Sequence, residues 1–334
     1  MPNDFSCYLV RKDDEGHVCA AVESVSLDDL PPGDVLVRVR YSSLNYKDAL
    51  AAGGHPGVVR SFPHVPGIDA AGTVEQSQSD KFAPGDEVLI TGCSLGAARW
   101  GGFARYVRMP AESIVPLPAG LSLRESMIYG TAGFTAAQSV QAIIDCDIDP
   151  ARGPVVVTGA SGGVGSIAVA LLAKLGFQVS AVSGKASAHA FLRDLGAAEI
   201  LSREAVVDTS DAQLLKSRWS AAVDTVGGAT LATLLRSTMY RGCVTACGLV
   251  GGDDLPLTVY PFILRGVTLS GIDSDKCPMA PRLALWSRLA GEWKLDQLET
   301  LVYDTVDLDG LPAAIDTIRA GNVRGRTLVQ LGAD

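Results

Sequence analysis

The sequence predicts an α/β chain of two domains, a β-rich one followed by a doubly wound parallel sheet. Three observations carry this. Short alternating strands with frequent turns crowd the chain up to about residue 123. From residue 155 onward, apolar strands alternate with helical segments. Between the first of those strands and its helix lies the glycine-rich run Thr158-Gly159-Ala160-Ser161-Gly162-Gly163-Val164-Gly165. The length of 334 residues suits about two domains.

In the first part, residues 35–41 alternate apolar with polar behind the turn Pro31-Pro32-Gly33-Asp34, as a half-exposed strand should. Residues 72–75 and 87–90 read as two more strands, separated by Ala83-Pro84-Gly85-Asp86. Such spacing predicts a small barrel-like domain. Residues 122–144 turn helical, interrupted by Gly130-Thr131-Ala132-Gly133. Six strands then follow at 155–158, 178–182, 199–201, 221–224, 242–246 and 268–271, the number of a doubly wound dinucleotide-binding sheet. A helix near 308–320 and a strand at 327–331 come after the sixth strand and are expected to return to the first domain.

The strand Val155-Val156-Val157 is β-branched throughout, as a parallel strand covered on both faces requires. Behind the glycines, Val164, Ile167, Ala168, Leu171, Leu172 and Leu175 have helical spacing. A strand, a glycine turn and a helix gather free backbone N–H groups and a positive helix end at one point, which suits a pyrophosphate. The run departs from G-x-G-x-x-G: the aligned residues are Ala160, Gly162 and Gly165.

Composition excludes several classes. Apolar residues make up 47% and charged residues 19%, so a large core forms and disorder is not expected. A net charge of -9 argues against nucleic acid or an anionic membrane as partner. No basic start followed by an apolar core and no long apolar run appears, so neither signal peptide nor membrane span is expected. The seven cysteines are scattered without a C-x-x-C pair, which predicts reduced thiols and a cytoplasmic protein.

The second strand ends Ala181-Val182-Ser183-Gly184-Lys185, without the carboxylate that a ribose 2′-OH would call for. A hydroxyl, a glycine and a cation suit a 2′-phosphate instead. Arg203, just after the third strand, offers a second charge in planar form. The expected cofactor is NADPH.

The whole chain resembles the medium-chain dehydrogenase/reductase superfamily, a GroES-like β-rich domain plus a doubly wound Rossmann domain. Ser42-Ser43-Leu44-Asn45-Tyr46-Lys47-Asp48, Pro66-Gly67-Ile68-Asp69, Trp100-Gly101-Gly102-Phe103-Ala104 and Gly130-Thr131-Ala132-Gly133-Phe134-Thr135-Ala136 resemble its zinc-free quinone-oxidoreductase branch. The run from Thr158 to Gly165, Ala222-Val223-Asp224-Thr225-Val226-Gly227, Ala246-Cys247-Gly248-Leu249, Pro261-Phe262-Ile263-Leu264-Arg265 and Gly325-Arg326-Thr327-Leu328-Val329 resemble the acrylyl-CoA reductase subgroup. The resemblance implies a GroES-like domain over residues 1–123 and 302–334, a Rossmann NADPH-binding domain over 124–301, and a homodimer formed through an edge strand of the cofactor domain. Cys and His are missing where zinc members carry catalytic ligands, and His55 and His64 read as loop residues, so no metal is expected.

The resemblance further implies that Tyr46 packs near the nicotinamide and that Asn45 and Asp48 line the cleft. An aromatic with a polar tip suits a flat ring beside a polar substrate, although Tyr also serves as an ordinary core residue. Thr131 is placed under the carboxamide or pyrophosphate. Ser161, Gly162, Gly163 and Val164 bind pyrophosphate, while Ser183, Gly184, Lys185 and Arg203 hold the 2′-phosphate. Leu249, Ile263 and Ser274 contact the nicotinamide half, and Arg326 is carried over as a cofactor contact. The implied reaction is conjugate reduction of an activated alkene, acrylyl-CoA to propionyl-CoA, with Tyr46 or a water as proton donor. Arg60, Arg99 and Arg105 are candidates for the phosphates of a CoA thioester. A quinone or enone reductase is the alternative, and a non-catalytic NADPH-binding protein stands in a different class.

Overall fold

The computed structural model describes residues 3–332. In chain order the first elements are β1 (Asp4–Lys12), β2 (Val18–Ser26), β3 (Val35–Leu44), α1 (Tyr46–Ala52), β4 (Asp69–Ser77), β5 (Glu87–Thr91), β6 (Tyr106–Met109), β7 (Val115–Pro116) and α2 (Leu123–Asp145). Next come β8 (Val155–Val157), α3 (Gly163–Lys174), β9 (Val179–Val182), α4 (His189–Asp194), β10 (Glu199–Leu201), β11 (Trp219–Asp224), α5 (Gly228–Ser237), β12 (Thr238–Ala246), α6 (Tyr260–Arg265) and β13 (Thr268–Gly271). The chain ends with α7 (Met279–Ala290), β14 (Val302–Val306), α8 (Leu311–Arg319) and β15 (Arg326–Gln330).

The chain divides into two units. The first comprises the described parts of Met1–Thr131, Ser274–Gly291 and Gln297–Asp334, and the second comprises Ala132–Asp273 and Glu292–Asp296. In the first unit, a seven-stranded sheet runs β14-β15-β3-β4-β5-β7, with β6 also paired to β3, beside the β1–β2 hairpin. The alternating strand β3 is its centre. It pairs antiparallel with β4, β6 and β15, so the expected return of the C-terminal strand is present, with Thr327 opposite Leu44. Its inward residues Val35, Val37, Val39 and Leu44 join Leu9, Ile90, Phe103 and Val329 in one core. Each such side chain contributes about 1.5–3 kcal/mol of burial free energy.

The second unit is an all-parallel six-stranded sheet in the order β10-β9-β8-β11-β12-β13. The sequence expected those six strands, and each forms within a few residues of its expected bounds. Strand β8 lies at the point where the strand order reverses, the usual place for a ligand in such sheets. Val156, Ala222, Leu234, Leu235 and Val244 pack its core.

The division into units departs from the expected boundaries at residues 124–131, 274–291 and 297–301, all of which go with the first unit. Ser274–Gly291 goes with the first unit, where the buried Arg282 guanidinium donates to the carbonyls of Thr91 (2.6 Å), Ser274 (2.9 Å) and Asp275 (3.1 Å). The N–H groups of Cys93 and Ser94 also donate to Asp275 (3.2 and 3.1 Å), and no periodicity announces these contacts. The sequence reading also passed over the strands β1, β2, β6, β7 and β14. In β1 the consecutive buried residues Tyr8, Leu9 and Val10 break the alternation that marks a half-exposed strand.

Candidate active site: a nucleotide seat and a buried polar network

In the second unit the chain leaves β8 through Thr158 and turns at Gly159, whose φ is +56°. A Cβ there would meet the Thr225 hydroxyl at 2.2 Å, so position 159 admits only glycine. This corrects the sequence alignment. Gly159, not Ala160, takes the part of the first glycine, while Ala160 is fully buried and donates its N–H to the Val182 carbonyl (3.1 Å). Helix α3 then starts at Gly163 behind Gly162, and no side chain caps it. Ser166 makes the first backbone bond of this helix, to the Gly162 carbonyl (2.9 Å). The N–H groups of Gly163, Val164 and Gly165 therefore lack intrahelical acceptors and point out at the helix's positive end.

Ser161 and Ser183 are both buried, with their hydroxyls 3.5 Å apart, so the glycine-rich turn and the end of β9 adjoin. Beside them the four residues expected around a 2′-phosphate come together. The Lys185 N–H donates to the Ser183 hydroxyl (3.2 Å). The Arg203 guanidinium lies across Gly184, where an added Cβ would sit 2.8 Å from its Nε. Partial burial of Lys185, then the neighbouring Arg203 charge, pull the ammonium below its ordinary range. Two cations held this close invite a dianion. Leu249 and Ile263, expected at the nicotinamide, are 67% and 68% exposed.

In the first unit, the residues singled out at the end of β3 build a buried network around Asp69, a residue given no role in the sequence reading. Its Oδ1 accepts from the Thr131 N–H (2.9 Å) and hydroxyl (2.6 Å). Its Oδ2 accepts from the Ser43 hydroxyl (2.6 Å) and the Asn45 amide (2.8 Å). Gly130, at φ 50° and ψ -156°, breaks helix α2 against this carboxylate, and a Cβ there would lie 2.5 Å from Asp69 Oδ2.

Asp48 is fully buried. Its Oδ1 accepts from the N–H groups of Gly67 (3.1 Å) and Ile68 (2.8 Å), and its Oδ2 from that of Asn45 (2.8 Å). Burial, then the nearby Asp69 charge, push its carboxyl up to about 7. Asn45 and Asp48 thus form a capping box that starts α1. Their polar atoms are turned inward, so the structure does not present them as a cleft lining. Tyr46, the first residue of that helix, is 48% exposed.

Arg326, expected at the cofactor, is buried. It donates to the Ile128 carbonyl (3.0 Å), Asn45 Oδ1 (3.2 Å) and the Ser43 hydroxyl (2.7 Å), and stands 3.7 Å from Asp69. It neutralises the network from within, and burial holds its charge less firmly than usual. Ser274 lies on the loop whose carbonyls bind Arg282. Arg99 is tied to the Pro32 carbonyl and Arg105 lines a cavity of about 550 Å³ with Asp307 and Asp309, while Arg60 is exposed. His64 is buried with Nε2 3.0 Å from the Gly96 carbonyl, and His55 accepts from the Gly57 N–H. Among the described residues no three His, Cys, Asp or Glu side chains cluster as metal ligands would.

Comparison with known proteins fits this frame. The chain matches the alcohol dehydrogenase GroES-like domain family over residues 31–119 and the zinc-binding dehydrogenase family over residues 163–283. It is 47% identical to an acrylyl-CoA reductase, AcuI, of Ruegeria pomeroyi, over 98% of this chain and all of that one. The chain belongs to the medium-chain dehydrogenase/reductase superfamily, in its acrylyl-CoA reductase subgroup. Another member, a putative quinone oxidoreductase, YhfP, of Bacillus subtilis, is 48% identical over 94% of this chain and 95% of its own. Its crystal structure with NAD bound superposes with a TM-score of 0.95, covering 98% and 99% of the two chains. The yhdH oxidoreductase of Salmonella enterica in complex with NADP, 48% identical, gives a TM-score of 0.94 and covers 98% and 100%.

Proposed function

We propose that this protein is an NADPH-dependent, zinc-independent reductase of activated C=C bonds, acting on acrylyl-CoA to give propionyl-CoA. The observation that carries the cofactor is the cluster of Ser183, Gly184, Lys185 and Arg203 at the end of β9, two cations around an open glycine. The fit is supported by the same cluster: a side chain at position 184 would fill the space in front of Arg203. The substrate half rests on the likeness to the Ruegeria acrylyl-CoA reductase.

In this reading the N–H groups of Gly163 and Val164 and the turn at Ser161 and Gly162 hold the pyrophosphate, while Lys185 and Arg203 hold the 2′-phosphate. When bound, NADPH supplies a hydride to the β-carbon of an alkene conjugated to a thioester carbonyl. Negative charge grows on that carbonyl oxygen, and hydrogen-bond donors must meet it. The Tyr46 hydroxyl is the candidate to give a proton to the α-carbon and recover one from water. Asn45 and Asp48 orient Tyr46 by starting its helix, and the Asp69–Arg326 network fixes Thr131 and Asn45. Arg60 is left as the candidate for the CoA phosphates. A second copy covers the edge strand β13, making a cytoplasmic homodimer.

Steady-state oxidation of NADPH, followed at the nicotinamide absorbance, tests the reading with acrylyl-CoA beside a simple quinone and with NADH as control. Turnover of acrylyl-CoA with NADPH alone is the expected result. Turnover of quinone only would support the second reading, which the name of the Bacillus relative favours.

A further inference from the structure

The glycine turn at Gly159 does not hold itself. The last residue of β11, Asp224, is fully buried beside the end of β8. Its Oδ1 accepts from the Thr158 hydroxyl at 2.6 Å, and its Oδ2 from the Gly227 N–H at 2.7 Å. The Thr158 oxygen in turn accepts the Thr225 N–H (3.0 Å). The Thr225 hydroxyl donates to the Thr158 carbonyl (3.0 Å) and occupies the space in front of Gly159. The Gly159 carbonyl then accepts the N–H of Gly162, the residue that opens α3. Polar contacts thus fix the residue before Gly159 to one carboxylate, and a further hydrogen bond from the Gly162 N–H to the Gly159 carbonyl leads to the start of the helix.

We infer that Asp224 is a positioning residue for the nucleotide seat: through Thr158 it sets the turn at Gly159, and through Gly227 the turn that follows β11. The inference rests on the NADPH reading above. A carboxylate group is suited to serve both turns. It offers two acceptor oxygens, one to a hydroxyl and one to an amide. An asparagine of the same shape offers one acceptor and one donor, so either the Thr158 hydroxyl proton loses its acceptor or the Gly227 N–H faces a second donor. A buried donor left without an acceptor relaxes by moving the backbone that carries it. Here that backbone is the seat. The switch point explains the location, since the ends of β8 and β11 flank the crevice where the strand order reverses.

The experiment is calorimetric titration of NADPH and of adenosine 2′-monophosphate, which carries the 2′-phosphate and lacks the pyrophosphate. Wild type, Asp224→Asn, Thr158→Val and Thr158→Ser are compared. Asp224→Asn and Thr158→Val should bind NADPH at least about tenfold more weakly while adenosine 2′-monophosphate stays within about twofold. Thr158→Ser, which keeps the hydroxyl, should bind both as wild type does. Thr158→Val carries the same test if Asp224→Asn does not fold. Unchanged NADPH affinity in the variants, or equal loss for both ligands, would overturn the positioning role. Wild-type protein that binds neither ligand would instead overturn the NADPH reading on which it rests.

Discussion

Arg203→Ala separates the two halves of the cofactor seat. Its guanidinium lies over Gly184 and close enough to Lys185 to depress the ammonium, so a 2′-phosphate placed there would meet both cations. A charge-assisted hydrogen bond to a phosphate contributes about 1.5–3 kcal/mol. Arg203 is exposed, and solvent screening takes its share to the lower end, about 1.5 kcal/mol, or roughly tenfold in affinity. Removing the side chain should therefore weaken NADPH about tenfold and leave NADH within about twofold, because NADH has no phosphate at that place. Lys185 loses a repelling neighbour in this variant and so retains part of the attraction, which keeps the loss from growing further. Nucleotide fluorescence titrations at two ionic strengths read both effects. The salt dependence of NADPH binding should shrink in the variant as one charge is removed. An equal loss for NADPH and NADH, or none for either, would refute the assignment of the Ser183–Lys185 turn and Arg203 to the 2′-phosphate.

Three further outcomes follow from the first unit. Tyr46→Phe should lower turnover at least about tenfold with NADPH affinity unchanged, and wild-type turnover would remove the proton-donor role. Asp69→Asn should lower the unfolding free energy in urea by about 1–3 kcal/mol, since its NH2 must face either the Asn45 amide donor or the Thr131 N–H; unchanged stability would show the network to be dispensable. Asp48 has a carboxyl raised from an ordinary 3.8 to about 7 by burial and Asp69, so the folded state keeps this proton where the unfolded state has lost it. The stability it contributes is fully present below pH 3.8 and is lost as pH rises through about 7. Urea melts of wild type against Asp48→Asn across that window should show the wild type losing ground with rising pH, and parallel curves would refute the shift.

The sheet of the second unit was legible because parallel strands are buried on both faces. Val155-Val156-Val157 and its successors are continuous apolar runs set apart by glycine and helical spacing, and periodicity reads them directly. The clustering of Ser183, Gly184, Lys185 and Arg203 was expected for a chemical reason: a serine, a glycine and a lysine stand where a carboxylate would otherwise be. The buried network was not legible. Asp69 stands in the run Pro66-Gly67-Ile68-Asp69 and Asp224 in Ala222-Val223-Asp224-Thr225, and a charge inside an apolar run is the one sign either gives. What each carboxylate binds is set by tertiary contact: Thr131 lies far along the chain from Asp69, and Thr158 far from Asp224. The burial of Arg326 was not legible for the same reason, because sequence marks its charge and not the depth at which β15 enters the sheet.

Asp69 and Asp224 solve one problem twice. Each is fully buried at an end of a strand, and each takes the hydroxyl of a threonine that directly follows or precedes a left-handed glycine. The pairs are Thr131 beside Gly130 (φ +50°) and Thr158 beside Gly159 (φ +56°). Burying a carboxylate costs several kcal/mol, which only a full set of donors offsets. Apolar packing could hold the same turns with less cost, and replacing buried charges by hydrophobic residues often preserves or raises stability. Apolar contact is non-directional, however, and would leave the N–H groups of the turn free to swing. A carboxylate fixes both the distance and the angle of each donor it accepts. The charge therefore serves orientation beyond its part in stability, and the two properties are separable when each is measured. The Asp224 and Thr158 variants measure that separation, since their NADPH affinity should fall while binding of the 2′-phosphate end persists.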